Sequence, residues 1–203
     1  MSMMQNIVAQ FKQPHGCLGH LAGFIMANRS SNIERNEWTL ELLELSPDDR
    51  VLEIGFGPGI AIEKASRVIT QGKIVGIDHS ETMLHQASKR NAMSIQRGTV
   101  KLHLASVDDM PTFTQPFTKI YSANVVQFWD NLEKNFAHLY DVLAPGGRIA
   151  TTYMPRHKNA TSADARKMAV HVSEALKAVG YNNIVAHEKP LKPIPVMCVM
   201  AEK

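Results

Sequence analysis

Val51-Leu52-Glu53-Ile54-Gly55-Phe56-Gly57-Pro58-Gly59-Ile60 passes from an apolar run straight into three glycines at alternate positions. Val51, Leu52 and Ile54 read as a strand covered on both faces, because a buried parallel strand lacks polar alternation. Ile60 to Ile69 then carries a helical apolar pattern. Strand, glycine turn and helix together form the usual nucleotide site of an α/β sheet, where missing Cβ atoms let backbone approach a ligand. The spacing is G-x-G-x-G, with Glu53 two residues before the first glycine and Ile60 where the dinucleotide pattern G-x-G-x-x-G has its last glycine.

Downstream, Lys73-Ile74-Val75-Gly76-Ile77-Asp78 is a second short strand, ending in an acid 23 residues after Gly55. An acid at that position accepts hydrogen bonds from ribose hydroxyls, and it would repel a 2′-phosphate. Gly55 and Asp78 together point to a nucleoside-containing ligand.

In these residues and those that follow, the chain resembles the class I S-adenosylmethionine-dependent methyltransferases. The likeness runs through Glu53-x-Gly55-x-Gly57-x-Gly59, Gly76-Ile77-Asp78-His79-Ser80-x-x-Met83-Leu84-x-x-Ala87 and Leu143-Ala144-Pro145-Gly146-Gly147-Arg148. It covers residues 36 to 203 in order, and is nearest the branch containing the ubiquinone/menaquinone-biosynthesis methyltransferases. The resemblance implies a Rossmann-like, doubly wound α/β fold with a seven-stranded sheet ordered 3-2-1-4-5-7-6, strand 7 antiparallel. Lys189 to Pro193 is too short for a parallel crossover, which independently makes the last two strands a hairpin.

The 203 residues suit a single domain, residues 32–203, preceded by a segment 1–31 of different character. With 44% apolar and 20% charged residues, the composition is that of an ordinary globular protein. A net charge of +3 from scattered basic residues offers no phosphate track, so nucleic acid is not an expected partner. No apolar run reaches the roughly 18 residues of a membrane span, and Met1 to Gln13 lacks the core of a secretory signal. Cys17 and Cys198, at opposite ends of the chain, fit a reduced, cytoplasmic setting. Oligomeric state is left open.

Leu18, Leu21, Ala22, Ile25 and Met26 fall on one helical face. That helix either packs on the domain or, as the resemblance implies, closes as a lid over the cofactor. A helix follows at Asn32 to Leu45, with Trp38, Leu42 and Leu45 on one stripe. Thr70-Gln71-Gly72 is expected to close the helix after the glycine turn, and Ser80 to cap the next. Thr99–Leu104, Thr118–Ala123 and Arg148–Tyr153 read as strands three to five, and Asp130–Leu143 as a helix. Another helix runs from near Thr161 to Gly180, before strands at Asn183–His187 and Ile194–Ala201.

Methyl transfer from a sulfonium demands alignment and a dry pocket more than a protein nucleophile. The resemblance implies that Gly55, Phe56, Gly57 and Gly59 wrap the methionine and ribose, with Glu53 shaping the turn. It places Asp78 on the ribose hydroxyls, His79 and Met83 beside the adenine, and Asn124 and Val125 where methyl group and acceptor meet. Ser106, Val107 and Asp108 would meet the adenine edge. The family's Gly-Asp-Ala is here Ala105-Ser106-Val107, so either Ser106 or Asp108 stands in for the missing acid. Gln127, Trp129, Tyr153 and His20 are candidates for the acceptor pocket, and Trp129 and Phe128 equally read as core. His15, His20 or Tyr153 would serve as general base if one is used, a histidine suiting that role near neutral pH. His15, Cys17 and His20 lack a fourth ligand at recognisable spacing, so no metal is expected. The Asn-Pro-Pro-Tyr element of many nucleic-acid and protein amino-methyltransferases is absent.

The leading expectation is therefore methyl transfer from S-adenosylmethionine to a small, apolar-leaning acceptor: a thiol, phenol, quinone precursor or amine. A catalytically silent cofactor-binding relative is the alternative. A nicotinamide oxidoreductase fails on glycine spacing.

Overall fold

In a computed structural model that describes residues 30–203, Arg50–Ile54 (β1) lies third in spatial order within a seven-stranded sheet. The other strands are Lys73–Asp78 (β2), Val100–Leu104 (β3), Phe117–Ala123 (β4), Leu143–Tyr153 (β5), Asn182–Lys189 (β6) and Val196–Glu202 (β7). Their order is 3-2-1-4-5-7-6, as expected. The first five pair in parallel, and β7 lies antiparallel between β5 and β6.

The helices are Ser30–Leu43 (α1), Ile60–Val68 (α2), Glu81–Arg90 (α3), Ala92–Gln96 (α4), Leu132–Val142 (α5) and Ser162–Val179 (α6). They divide the core between the two sheet faces. On one face Leu52, Ile54 and Ile77 meet Phe136 and Leu139 of α5 and Val172 and Leu176 of α6. On the other, Val51, Ile74 and Tyr121 meet Trp38 of α1, Ile62 of α2 and Met83 of α3. This double cover explains why Val51, Leu52 and Ile54 are apolar without alternation, Glu53 being the one acid among them.

Local signals held where the chain supplies its own partner. The Ser80 side chain accepts from the Met83 N–H and starts α3. Thr161 and Asp164 form a reciprocal capping box on α6, and Gly180 ends it in the left-handed region. The Asn32–Leu45 helix instead runs Ser30–Leu43, and the Asp130–Leu143 helix starts at Leu132, capped by Asn131.

Gly72 corrects a sequence expectation. α2 ends at Val68, and the cap N–H of Ile69 bonds Ala65. A Cβ on Gly72 would stand 1.9 Å from the Asp49 carbonyl oxygen, so that glycine serves the close crossing of two loops. The Pro145-Gly146-Gly147 turn is likewise part of β5, taken up by a register shift between Phe117 and Lys119.

No helix among the described residues is long and apolar enough to cross a membrane. The helix read over 18–26 and its lid role lie outside the described residues, as do His15, Cys17 and His20.

Candidate functional site

The carboxyl ends of β1, β2 and β4 open into a crevice lined by Ile54, Gly55, Asp78, Ser106, Val125 and Phe128, among others. Open parallel sheets bind ligands at this edge. Asp78, the last residue of β2, is 8% exposed and accepts from the Gly57 N–H at 2.8 Å and the Ser80 N–H at 2.9 Å. One carboxylate thus ties the glycine turn to the entrance of α3. Burial pushes its pKa upward, against the pull of the Ser80 and Gly57 donors and the nearby His79. A carboxylate has about four lone-pair positions, so two remain for a ligand.

The glycines of the turn are required for different reasons. A Cβ at Gly55 would lie 2.5 Å from Cγ2 of Val125, which closes the floor of the crevice. Gly59 packs against Ala87 and Asn91 of the α3 region, so its missing side chain serves helix packing. At Gly57, with φ +51°, no described residue beyond its own chain neighbours has an atom within 4 Å of where a Cβ would stand. The turn therefore presents bare backbone to open space at Gly57.

Glu53 points elsewhere. Its carboxyl is buried against the Tyr121 hydroxyl on β4, which donates at 2.7 Å. Burial pushes its pKa up to about 8, with the Tyr121 bond opposing and Asp78 adding to the rise. Phe56 and Met83 are core residues of the same face.

Of the residues singled out from sequence, Gly55, Asp78, His79, Ser106, Val107, Asp108, Val125 and Trp129 share the crevice. Asp108 is also engaged by Lys134 at 2.9 Å, across a half-exposed ion pair. Asn124, with φ 59°, accepts from the Met154 N–H and donates to the Met154 carbonyl, both at 2.8 Å, lacing β4's exit to β5's. Gln127 donates to the Asn124 carbonyl at 2.7 Å, and its buried Oε1 finds no partner among the described residues. Tyr153 packs on the core beneath, where burial and then Asp164 raise its phenol and disfavour a phenolate base. Trp129 stacks edge-on to Phe136, centroids 5.3 Å apart, so it both lines the crevice and anchors α5.

Tyr121 and Lys134 escaped the sequence reading. Each acts on a site residue from another element, a partnership visible only once strands and helices are placed. Cys198 is buried, and burial pushes its thiol up to about 12, leaving it inert. Among the described residues no group of three His, Cys, Asp or Glu side chains could hold a metal.

The family model of the methyltransferase domain matches residues 51–147. An uncharacterized methyltransferase of Bacillus subtilis, YdaC, is 30% identical over 183 residues, covering 90% of this chain and 98% of that protein. The ubiquinone/menaquinone biosynthesis C-methyltransferase UbiE of Geotalea daltonii is 28% identical over 59% of this chain, which spans about half (52%) of that relative. In structure, an S-adenosylmethionine-dependent methyltransferase from Aquifex aeolicus superposes with a TM-score of 0.70 at 19% identity, over 86% of this chain and 94% of that one, a likeness of fold.

Proposed function

Since the chain belongs to the S-adenosylmethionine-dependent methyltransferases, we propose that it delivers the cofactor's methyl group to a small, apolar-leaning acceptor held over the carboxyl ends of β4 and β5. The observation that carries this reading is the open space above Gly57, whose N–H bonds the Asp78 carboxylate that lines a crevice of mixed polar and apolar residues. Those features suit the cofactor's parts. Bare backbone at Gly57 admits close approach, two spare carboxylate lone pairs match a ribose diol, and Ile77, Val107 and Phe128 offer a low-dielectric berth for a base.

Bound there, S-adenosylmethionine supplies a methyl group already activated by its sulfonium charge. What remains for the chain is alignment and exclusion of water. Asp78 would fix the ribose, while Ser106, Val107 and Asp108 meet the adenine edge. Val125 would set the floor under the reacting centre, and Asn124 and Gln127 the wall toward the acceptor. A thiol, phenol, quinone precursor or amine would accept the methyl group by in-line displacement and release any proton to water or a nearby base. A cytoplasmic setting is part of the same proposal.

Calorimetry with S-adenosylhomocysteine and with NAD, followed by an acceptor screen that reads S-adenosylhomocysteine formation, tests it. Binding of the first, none of the second, and turnover with one acceptor class is the expected result. Binding without turnover across the screen would favour a silent relative.

A further inference from the structure

Arg35, on the second turn of α1, is only 6% exposed, and its Nε finds no hydrogen-bond partner among the described residues. Its Nη1 donates to Oδ1 of Asn32 at 3.0 Å. The same amide oxygen accepts from Nη2 of Arg156 at 3.0 Å, and Arg156 also donates to Oγ of Ser31 at 2.9 Å. One neutral oxygen therefore bridges two guanidinium groups. Burial, and then the charge of Arg156, pushes the Arg35 guanidinium down to about 9, and no acid pulls the other way. Glu37, an acid further along α1, is committed to Lys64.

The position of this pair matters. Thr39 of α1 bonds Thr152 of β5 at 2.7 Å, while Arg156, just past the end of β5, reaches back to the first turn of α1. α1 thus runs antiparallel to β5 and delivers its first turns to the carboxyl edge, where parallel sheets bind ligands. Arg156 follows Met154, whose backbone is laced to Asn124 at the exit of β4. The first turn of α1 carries no acid, and its helix dipole adds partial positive charge.

A buried guanidinium with an unused Nε beside a second cation is expensive unless an anion joins them. The Nε edge is also one on which a guanidinium grips a carboxylate through two parallel bonds. We propose that Arg35 and Arg156 anchor a carboxylate on the methyl acceptor, making the substrate a small apolar body with an acidic handle. The proposal rests on the methyltransferase reading of the crevice and deepens it to a substrate class.

The test titrates the full chain with benzoate, its neutral isostere benzamide and inorganic phosphate, at fixed ionic strength, by calorimetry and thermal melting. Variants are Arg35→Met and Arg156→Gln, and S-adenosylhomocysteine affinity is measured in every protein. Benzoate should bind the natural chain at least tenfold more tightly than benzamide or phosphate, and each variant should lose that preference. S-adenosylhomocysteine affinity should stay within about twofold throughout. Arg35→Met should melt no lower than the natural chain, because it removes an uncompensated buried charge. A purely structural arginine predicts the reverse: a lower melting temperature and no benzoate preference to lose. Equal binding of benzoate and benzamide, or tighter binding of phosphate, would overturn the proposal. Failure of the natural chain to bind S-adenosylhomocysteine would overturn the cofactor reading instead.

Discussion

The Tyr121 hydroxyl donates to Oε2 of Glu53 at 2.7 Å, and the two residues stand directly opposite one another in the parallel pairing of β4 with β1. Both are buried in the centre of the sheet. Burial raises the Glu53 carboxyl to about 8 despite that bond. The folded chain therefore keeps Glu53 protonated at neutral pH, where the unfolded chain, near the ordinary value of about 4.3, has ionised it.

Between those two values the folded state binds more protons, so stability falls as pH rises. The stabilising effect is complete below the unfolded pKa and lost as pH climbs through about 8. Urea unfolding from about pH 5 to about pH 8.5 should show this decline. Glu53→Gln keeps an acceptor for Tyr121 and should flatten most of it, leaving the part due to Asp78, which shifts in the same direction. An identical slope in the variant would mean that Glu53 is ionised in the fold.

Asp78 ties down Gly57 and Ser80 and also offers its remaining lone pairs to a ribose. Asp78→Ala should weaken S-adenosylhomocysteine binding by about 1.5–3 kcal/mol, the range for a lost hydrogen bond to a charged group. Asp78→Asn retains one acceptor oxygen and should fall between. Calorimetric affinity unchanged in the alanine variant would remove the ribose assignment.

The strands and the glycine turn were legible because each leaves a local mark. The sheet order came with the family resemblance, and only the final hairpin had a local reason, the short Lys189 to Pro193 join. A strand covered on both faces lacks polar alternation, as Val51, Leu52 and Ile54 do around the single acid Glu53, and the alternating glycines gain weight as a ligand turn only with Asp78 downstream. What stayed hidden depends on elements distant in sequence. Gly72 reads as a helix stop, but its reason is the Asp49 carbonyl across a loop crossing. Glu53 reads as part of the turn, and only the β1–β4 register shows it facing Tyr121. Arg35 carries no mark in the sequence, yet it is buried on a helix that Thr39 ties to Thr152 of β5.

At the adenine edge, Ser106 should outrank Asp108. Lys134 holds Asp108 at 2.9 Å in a pair more than half exposed, so removing the acid sacrifices little. Ser106 lines the same crevice. Ser106→Ala should weaken S-adenosylhomocysteine binding by about 0.5–1.5 kcal/mol, the net value of a neutral hydrogen bond, and by more than Asp108→Ala. The opposite ranking, measured by the same titration, would move the contact to Asp108.

Gly55 and Gly57 offer the sharpest separation of fold from ligand. Both are left-handed, with φ +69° and +51°, so alanine at either incurs a similar backbone penalty of about 1–2 kcal/mol. Only at Gly55 does the new methyl meet protein, 2.5 Å from Cγ2 of the stiff, β-branched Val125. Gly55→Ala should therefore be the less stable variant, by a further ~1–3 kcal/mol for an overpacked contact. Adding Val125→Ala should recover part of this loss, a coupling that a double-mutant cycle in urea isolates. At Gly57 the methyl enters the open space, so Gly57→Ala should fold almost as well as its backbone penalty allows yet lose at least tenfold in S-adenosylhomocysteine affinity. If Gly57→Ala binds as tightly as the natural chain, that space does not belong to the cofactor, and the turn is only a device for joining β1 to α2.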